Sequence, residues 1–113
     1  MENTSKAIII DSENKKVYER DILAEITANK TLSLLQGIVG GFIEAVAVGD
    51  TETLWVNEEG LLVNENYFFS IDGQTLAGNG VITGDKDGHT IGTKLTVEDI
   101  EKRVVFLGKM AIN

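Results

Sequence analysis

Residues 37–60 read GIVGGFIEAVAVGDTETLWVNEEG, and their pattern decides the fold class. A double glycine, Gly40-Gly41, precedes an alternating apolar stretch, and Asn57, Glu58, Glu59 and Gly60 stand where its partner ends. In FIEAVAVGD, Phe42, Glu44, Val46 and Val48 face one way while Ile43, Ala45 and Ala47 face the other, the period of a strand. Apart from Glu44 both faces are apolar, which predicts a central strand. Glu44 then needs either an edge position or a cationic partner such as Arg20 or Arg103. Gly49-Asp50 supplies turn chemistry and TLWVN returns, so the segment reads as a hairpin.

Upstream, AIIID followed by SENK and KVYERDI reads as another hairpin. Between the hairpins, Leu32, Leu35 and Val39 recur at helical spacing, with Thr31 or Asn29 as N-cap and Gly40 as the stop, predicting a helix over 31–38 that can begin earlier. Downstream, LLVNENYFFSI starts extended and then carries an apolar cluster that reads as a brief helix after Asn64. The glycine-rich stretch DGQTLAGNGVITGDKDG reads as turns with one short strand over 81–83. TVEDIEKRVVFL opens with Thr96 and Asp99 in an N-cap arrangement and continues with Val97, Ile100, Val104 and Phe106 or Leu107, the pattern of a longer helix. The expectation is one α+β domain: a small antiparallel sheet built from hairpins, with two or three short helices.

Composition bounds the function. The 113 residues suit a single core, and 42% hydrophobic with 25% charged residues is ordinary for a globular chain. No apolar run approaches the roughly 20 residues that span a bilayer, and the run of isoleucines near the N-terminus is too short for a signal peptide, so a soluble, cytoplasmic protein is expected. With no cysteine and His89 alone, thiolate and multi-histidine metal sites are excluded. A net charge of −8 argues against binding DNA or RNA. A small anion remains compatible, because a few cations and backbone N–H groups outweigh a distant acidic surface. No cofactor is called for.

Several motifs invite chemistry. Glu58-Glu59 has the composition of a general acid and base, but adjacent turn residues rarely converge on one atom, which favours a solvated turn. Asp85 to His89, DKDGH, begins like a calcium loop but has Thr96 where the twelfth-position Glu belongs, so a hairpin turn is the better reading. His89 has no neighbouring nucleophile and reads as a surface residue. GNG, residues 78–80, is not followed by a helix and fails as a phosphate loop, and Asn79 in it suits a positive φ. The run Tyr67-Phe68-Phe69 cannot all enter one core, so at least one ring lines a groove, an interface or a stacking surface, with ordinary packing as the rival reading. An aromatic near Arg103 or Lys109 is what a purine and its phosphates need.

The succession LLQGIVGGFIEAVAV, LWVNEEGLLVNENYF and GNGVITGD, over roughly residues 31–85, resembles a small bacteriophage and prophage domain family. Its pattern runs as a leucine-rich helix, V-G-G-[YF]-I-E, a hairpin, V-N-E-E-G, a further Asn and a late G-x-V-x-x-G-D. Within that class the sequence looks like the anti-Thoeris sponges, which capture cyclic ADP-ribose isomers made by bacterial TIR-domain defence proteins without cleaving them. Some members also bind cyclic oligonucleotides. The resemblance implies a non-enzymatic protein acting in an infected bacterial cell, a homodimer or higher homo-oligomer with ligand pockets at the protomer boundary. On that reading Phe69 or Trp55 stacks adenine, Asn57, Asn64 and Asn79 read ribose and base edges, and Arg103, Lys109 or Arg20 neutralises phosphate. Arg103→Glu is then expected to abolish binding without unfolding the domain. The alternative is a protein-interaction module that inhibits a host enzyme through its acidic surface. A hydrolase of the same signal ranks last, lacking a nucleophile or metal site.

Overall fold

The computed structural model describes residues 5–60 and 67–109. Its first hairpin joins β1 (Lys6–Asp11) to β2 (Lys16–Asp21). Ala7, Ile8, Ile9 and Ile10 are all buried. A strand apolar on both sides is placed inside a sheet, since each isoleucine withdrawn from water contributes about 1.5–3 kcal/mol. Two short helices follow, α1 (Leu23–Thr27) and α2 (Thr31–Val39). Lys30 occupies the N-cap of α2, displacing the expected Thr31 and Asn29, and Asn29 instead takes a positive φ of 57°. Gly40 ends the helix as expected, at φ 83°.

The hairpin of the opening stretch forms as β3 (Ile43–Ala47) and β4 (Glu52–Asn57). Beyond it lie β5 (Tyr67–Ile71), β6 (Gln74–Ala77), β7 (Gly80–Lys86), β8 (His89–Ile91), α3 (Val97–Glu101) and β9 (Val104–Lys109). Among the described residues the architecture is α+β, with antiparallel sheets of six and three strands and three short helices. The larger sheet runs β2-β1-β7-β4-β3, with β8 paired to the far end of β7, and the smaller runs β6-β5-β9. On one face of the larger sheet, Ala7, Ile9 and Val81 pack under Leu35 and Val39 of α2. On the other, Ile8, Ile10, Leu54 and Ile82 pack against Phe69 and Ile71 of the smaller sheet and Ile100 of α3.

Four expectations are corrected. The strand of the opening stretch is an edge, not the centre, because its alanines bury little while the isoleucines of β1 bury much; Glu44 is exposed there and needs no cation. The centre belongs to β7, in the region expected to be mostly turns. Gly80, Ile82 and Gly84 share its sandwich face; a Cβ on Gly80 would come within 2.7 Å of Leu54 Cδ1, and one on Gly84 within 2.4 Å of the Gly92 carbonyl oxygen. Glycine here permits close approach inside a strand. Residues 67–71 are strand, not helix, while 61–66, with Asn64, lie outside the described residues. The capping box at Thr96 and Asp99 forms as read, but α3 stops at Glu101 and Val104–Lys109 pairs with β5. Val104 and Phe106 pack inward while Val105 and Leu107 stay exposed, so period two wins over the apparent helical stripe.

Gly84→Ala is expected to destabilise the protein by about 1–3 kcal/mol, because the carbonyl it strikes belongs to backbone that cannot swing aside. Gly37→Ala, on α2 with nothing within 4 Å of the added Cβ, is expected to stabilise by about 0.5–1 kcal/mol. Chemical denaturation of both variants checks the contrast.

Candidate functional site

The residues singled out in the sequence do not all meet. Phe69 is 0% exposed, packed beneath Gly80, and has no face for a ligand. Trp55 is half-buried against the α2 side of the sheet, its Nε1 donating to Thr83 Oγ1 at 2.8 Å. Asn57 clasps the end of α2: Nδ2 donates to the Val39 carbonyl at 3.2 Å and Oδ1 accepts from Glu59 N–H at 2.7 Å. Arg20 pairs with Glu25 at 3.2 Å. The Arg103 guanidinium binds Asp72, with Nε donating to Oδ1 at 3.0 Å, and also donates to the Val48 carbonyl at 2.7 Å. Both arginines are thus engaged within the protomer, and neither lines the cleft at Tyr67. Each pairing holds its acid, Glu25 or Asp72, below the usual carboxylate range, chiefly through the arginine's hydrogen bond.

Asn79 and Lys109 do come together, around Tyr67. A cleft of about 260 Å³ opens where the β6–β7 turn meets the residues after β1, the end of α2 and the start of β5; Ser12, Glu13, Val39, Gly40, Tyr67 and Asn79 line it. Gly78 takes the positive φ, 82°, that the sequence suggested for Asn79. Asn79 instead uses Oδ1 to accept from Ser12 N–H at 3.2 Å, and Ser12 Oγ donates to the Gly78 carbonyl. Gly78 N–H in turn donates to the Tyr67 carbonyl at 2.7 Å, tying the turn to β5. Across the β5–β9 ladder Tyr67 faces Lys109, whose Nζ stands 5.7 Å from the ring centroid. The cleft is electrically divided. The α2 C-terminus and Glu13 offer acceptors and partial negative charge, whereas Asn79 carries an amide with donors. Of the three rings only Tyr67 lines the cleft; Phe68 and Phe69, separated by a bulge in the ladder with β9, are both buried, an irregularity that strand period alone does not reveal.

A second cleft, of about 380 Å³, lies at the opposite end of β7, lined by Thr51, Glu52, Asp85, Lys86, Ile91 and Lys94 among others. Its Glu52 is only 9% exposed and was not foreseen. Oε1 accepts from Thr51 Oγ1 at 3.1 Å and Oε2 from Thr93 Oγ1, while Thr93 N–H reaches the Lys6 carbonyl at 2.8 Å. Both carboxylate oxygens are occupied, Oε1 by the neighbouring Thr51 and Oε2 in pinning the β8–α3 connection through Thr93, a structural role. Glu58 and Glu59 sit exposed in their turn, and Asp87 and Gly88, with φ 53° and 80°, form the hairpin turn read from DKDGH. His89 is exposed. Among the described residues no group of three His, Cys, Asp or Glu is placed to hold a metal, and no helix is long and apolar enough to cross a membrane.

The chain belongs to the family described as a domain of unknown function, DUF3846, which matches residues 5–105. No curated protein and no solved structure matches it.

Arg103→Gln is expected to lower stability by about 1–2 kcal/mol, mainly through loss of the charged donor to the Val48 carbonyl, since the half-exposed pair with Asp72 is screened. The effect should also depend on pH. The depressed folded-state pKa of Asp72 adds stability above the ordinary Asp range, and this is lost as pH falls through the folded value. The deficit of Arg103→Gln should therefore shrink on acidification, as thermal melts at neutral and acidic pH would show.

Proposed function

We propose that this protein binds and sequesters, without cleaving it, a small nucleotide-type signal of the cyclic ADP-ribose class, in the manner of the phage sponges that its sequence resembles. The carrying observation is the cleft at Tyr67, where an aromatic ring and the Asn79 amide adjoin a wall of acceptors, with Lys109 Nζ 5.7 Å from the ring centroid. A nucleotide presents matching chemistry. Its base stacks on a ring, its phosphate seeks a cation, and its ribose hydroxyls and exocyclic amine donate to carbonyls and carboxylate. The volume of about 260 Å³ is below the roughly 300 Å³ at which ligand pockets usually begin. The resemblance implies pockets at a protomer boundary, where a second copy of the chain would supply the remaining wall.

Capture rather than turnover is supported by the same geometry. Ser12 is buried and gives its proton to the Gly78 carbonyl, not to a base. His89 lies on β8, paired to the end of β7 remote from the cleft.

The test is ligand retention. The protein is incubated with cyclic ADP-ribose isomers and cyclic dinucleotides, filtered, and heated to release what it held for chromatography. The expected result is depletion of one compound from the filtrate and its recovery unchanged. Tyr67→Ala should weaken retention about tenfold, the loss of one stacked base, and Lys109→Ala should weaken it too, while Arg20→Gln leaves it intact. A chemically altered product would replace capture with catalysis, and no depletion would overturn the nucleotide reading in favour of a protein partner for the acidic surface.

A further inference from the structure

The larger cleft, about 380 Å³, falls within the ordinary range of small-molecule sites and is left unused by the nucleotide reading. Strand pairing builds its floor. Glu52 of β4 lies opposite Gly84 of β7, and Gly84 lies opposite Ile91 of β8, so the three stand in one row across the sheet. Residues paired in this way project to the same face, and so does Lys86, two positions beyond Gly84. Lys94 joins them from the β8–α3 connection.

The charges in this cleft are unmatched. Both Glu52 oxygens accept hydrogen bonds, the behaviour of an ionised carboxyl, but the donors are the hydroxyls of Thr51 and Thr93. No cation pairs with Glu52 among the described residues, although a buried charge is ordinarily paired. Each of its oxygens accepts one bond here and retains capacity for another. Gly92, next to Thr93, also lines the cleft, and its carbonyl accepts nothing among the described residues. Three acceptor positions therefore lie close together, and a primary ammonium has three donors. Lys86 and Lys94 present the opposite imbalance: both are exposed, and neither has an acid within ion-pair distance among the described residues. Ile91, half-buried, supplies an apolar wall.

We propose that this cleft binds a zwitterion of the α-amino acid class with an apolar side chain. The ammonium group bonds to Glu52 and the Gly92 carbonyl, the carboxylate meets Lys86 and Lys94, and the side chain packs on Ile91. A simple anion would satisfy the lysines but face the buried carboxylate, and a simple amine would satisfy Glu52 but face the lysines. A ligand that carries both charges on neighbouring atoms answers both imbalances at once. The site is separate from the Tyr67 cleft and stands whether or not that cleft takes a nucleotide.

Isothermal titration calorimetry of the full chain tests it, with L-leucine, L-valine and L-phenylalanine as probes. Isocaproate and isoamylamine complete the series, because each keeps the branched body of leucine and lacks one of its two charges. The expected result is binding of at least one amino acid, with both single-charge analogues weaker than leucine by about tenfold or more. Glu52→Gln, which keeps the shape and removes the charge, should weaken amino acid binding about tenfold, and so should the paired change Lys86→Ala with Lys94→Ala. Circular dichroism checks that each variant is folded. If Glu52→Gln fails to fold, the exposed lysine pair and the analogue series decide. No binding of any of the three amino acids at millimolar concentration, isocaproate bound as tightly as leucine, or binding indifferent to loss of both lysines would overturn the assignment.

Discussion

The structure depends on close approach at the central strand. β7 is hydrogen-bonded to β1, β4 and β8, so it is the one strand through which the larger sheet is continuous. On its sandwich face Gly80 lets Phe69 Cζ stand 3.3 Å from where a Cβ would be, and Gly84 lets the backbone at Gly92 cross. Side chains at these positions would hold the smaller sheet and the β8–α3 connection away, opening the core that contains Ile8, Leu54, Phe69 and Ile82. Burial of that core drives folding, and the two glycines allow it to close.

The same economy of space explains the pattern around the double glycine. Gly40 carries the positive φ that ends α2, and a Cβ on Gly41 would lie 2.9 Å from Asn57 Nδ2. Asn57 then bonds both the last turn of α2 and the backbone of Glu59, and a Cβ on Gly60 would lie 3.0 Å from the Ala77 carbonyl oxygen. Asn57 is therefore a clasp between helix and hairpin. The V-N-E-E-G element describes scaffold, whereas Val39 and Gly40 of V-G-G serve twice, ending α2 and lining the cleft together with Tyr67 and Asn79.

Local signals in the sequence were legible wherever local physics decides. The hairpins, the stop at Gly40, the Asp-Gly turn and the capping box at Thr96 all follow from backbone conformation or a hydrogen bond within a few residues. What failed depended on partners distant in the chain. A strand with Gly at 80 and 84 looks like a loop until Phe69 and Gly92 are seen to occupy the vacant space. Val104 to Leu107 fit either period, and pairing with β5 chose the strand. Apolar character on both faces of β3 suggested the centre of the sheet, but alanine is cheap to leave exposed, and the isoleucines of β1 had the stronger claim. For the site, side-chain type singled out Asn79, which lines the cleft, but it could not show that Asp72, Val48 and Glu25 engage the two arginines.

The cleft and the free edge are joined by very little chain. Val39 and Gly40 form part of the cleft wall, and Gly41 leads at once to Phe42, an exposed ring at the start of β3. Asn57 grips one end of this segment through the Val39 carbonyl, and the Glu58 N–H grips the other through the Phe42 carbonyl. A displacement of Phe42 is thereby resisted by the backbone that shapes the cleft. Loosening either grip, at Asn57 or at the Glu58 amide, would therefore be felt at the cleft wall as well as at the sheet edge.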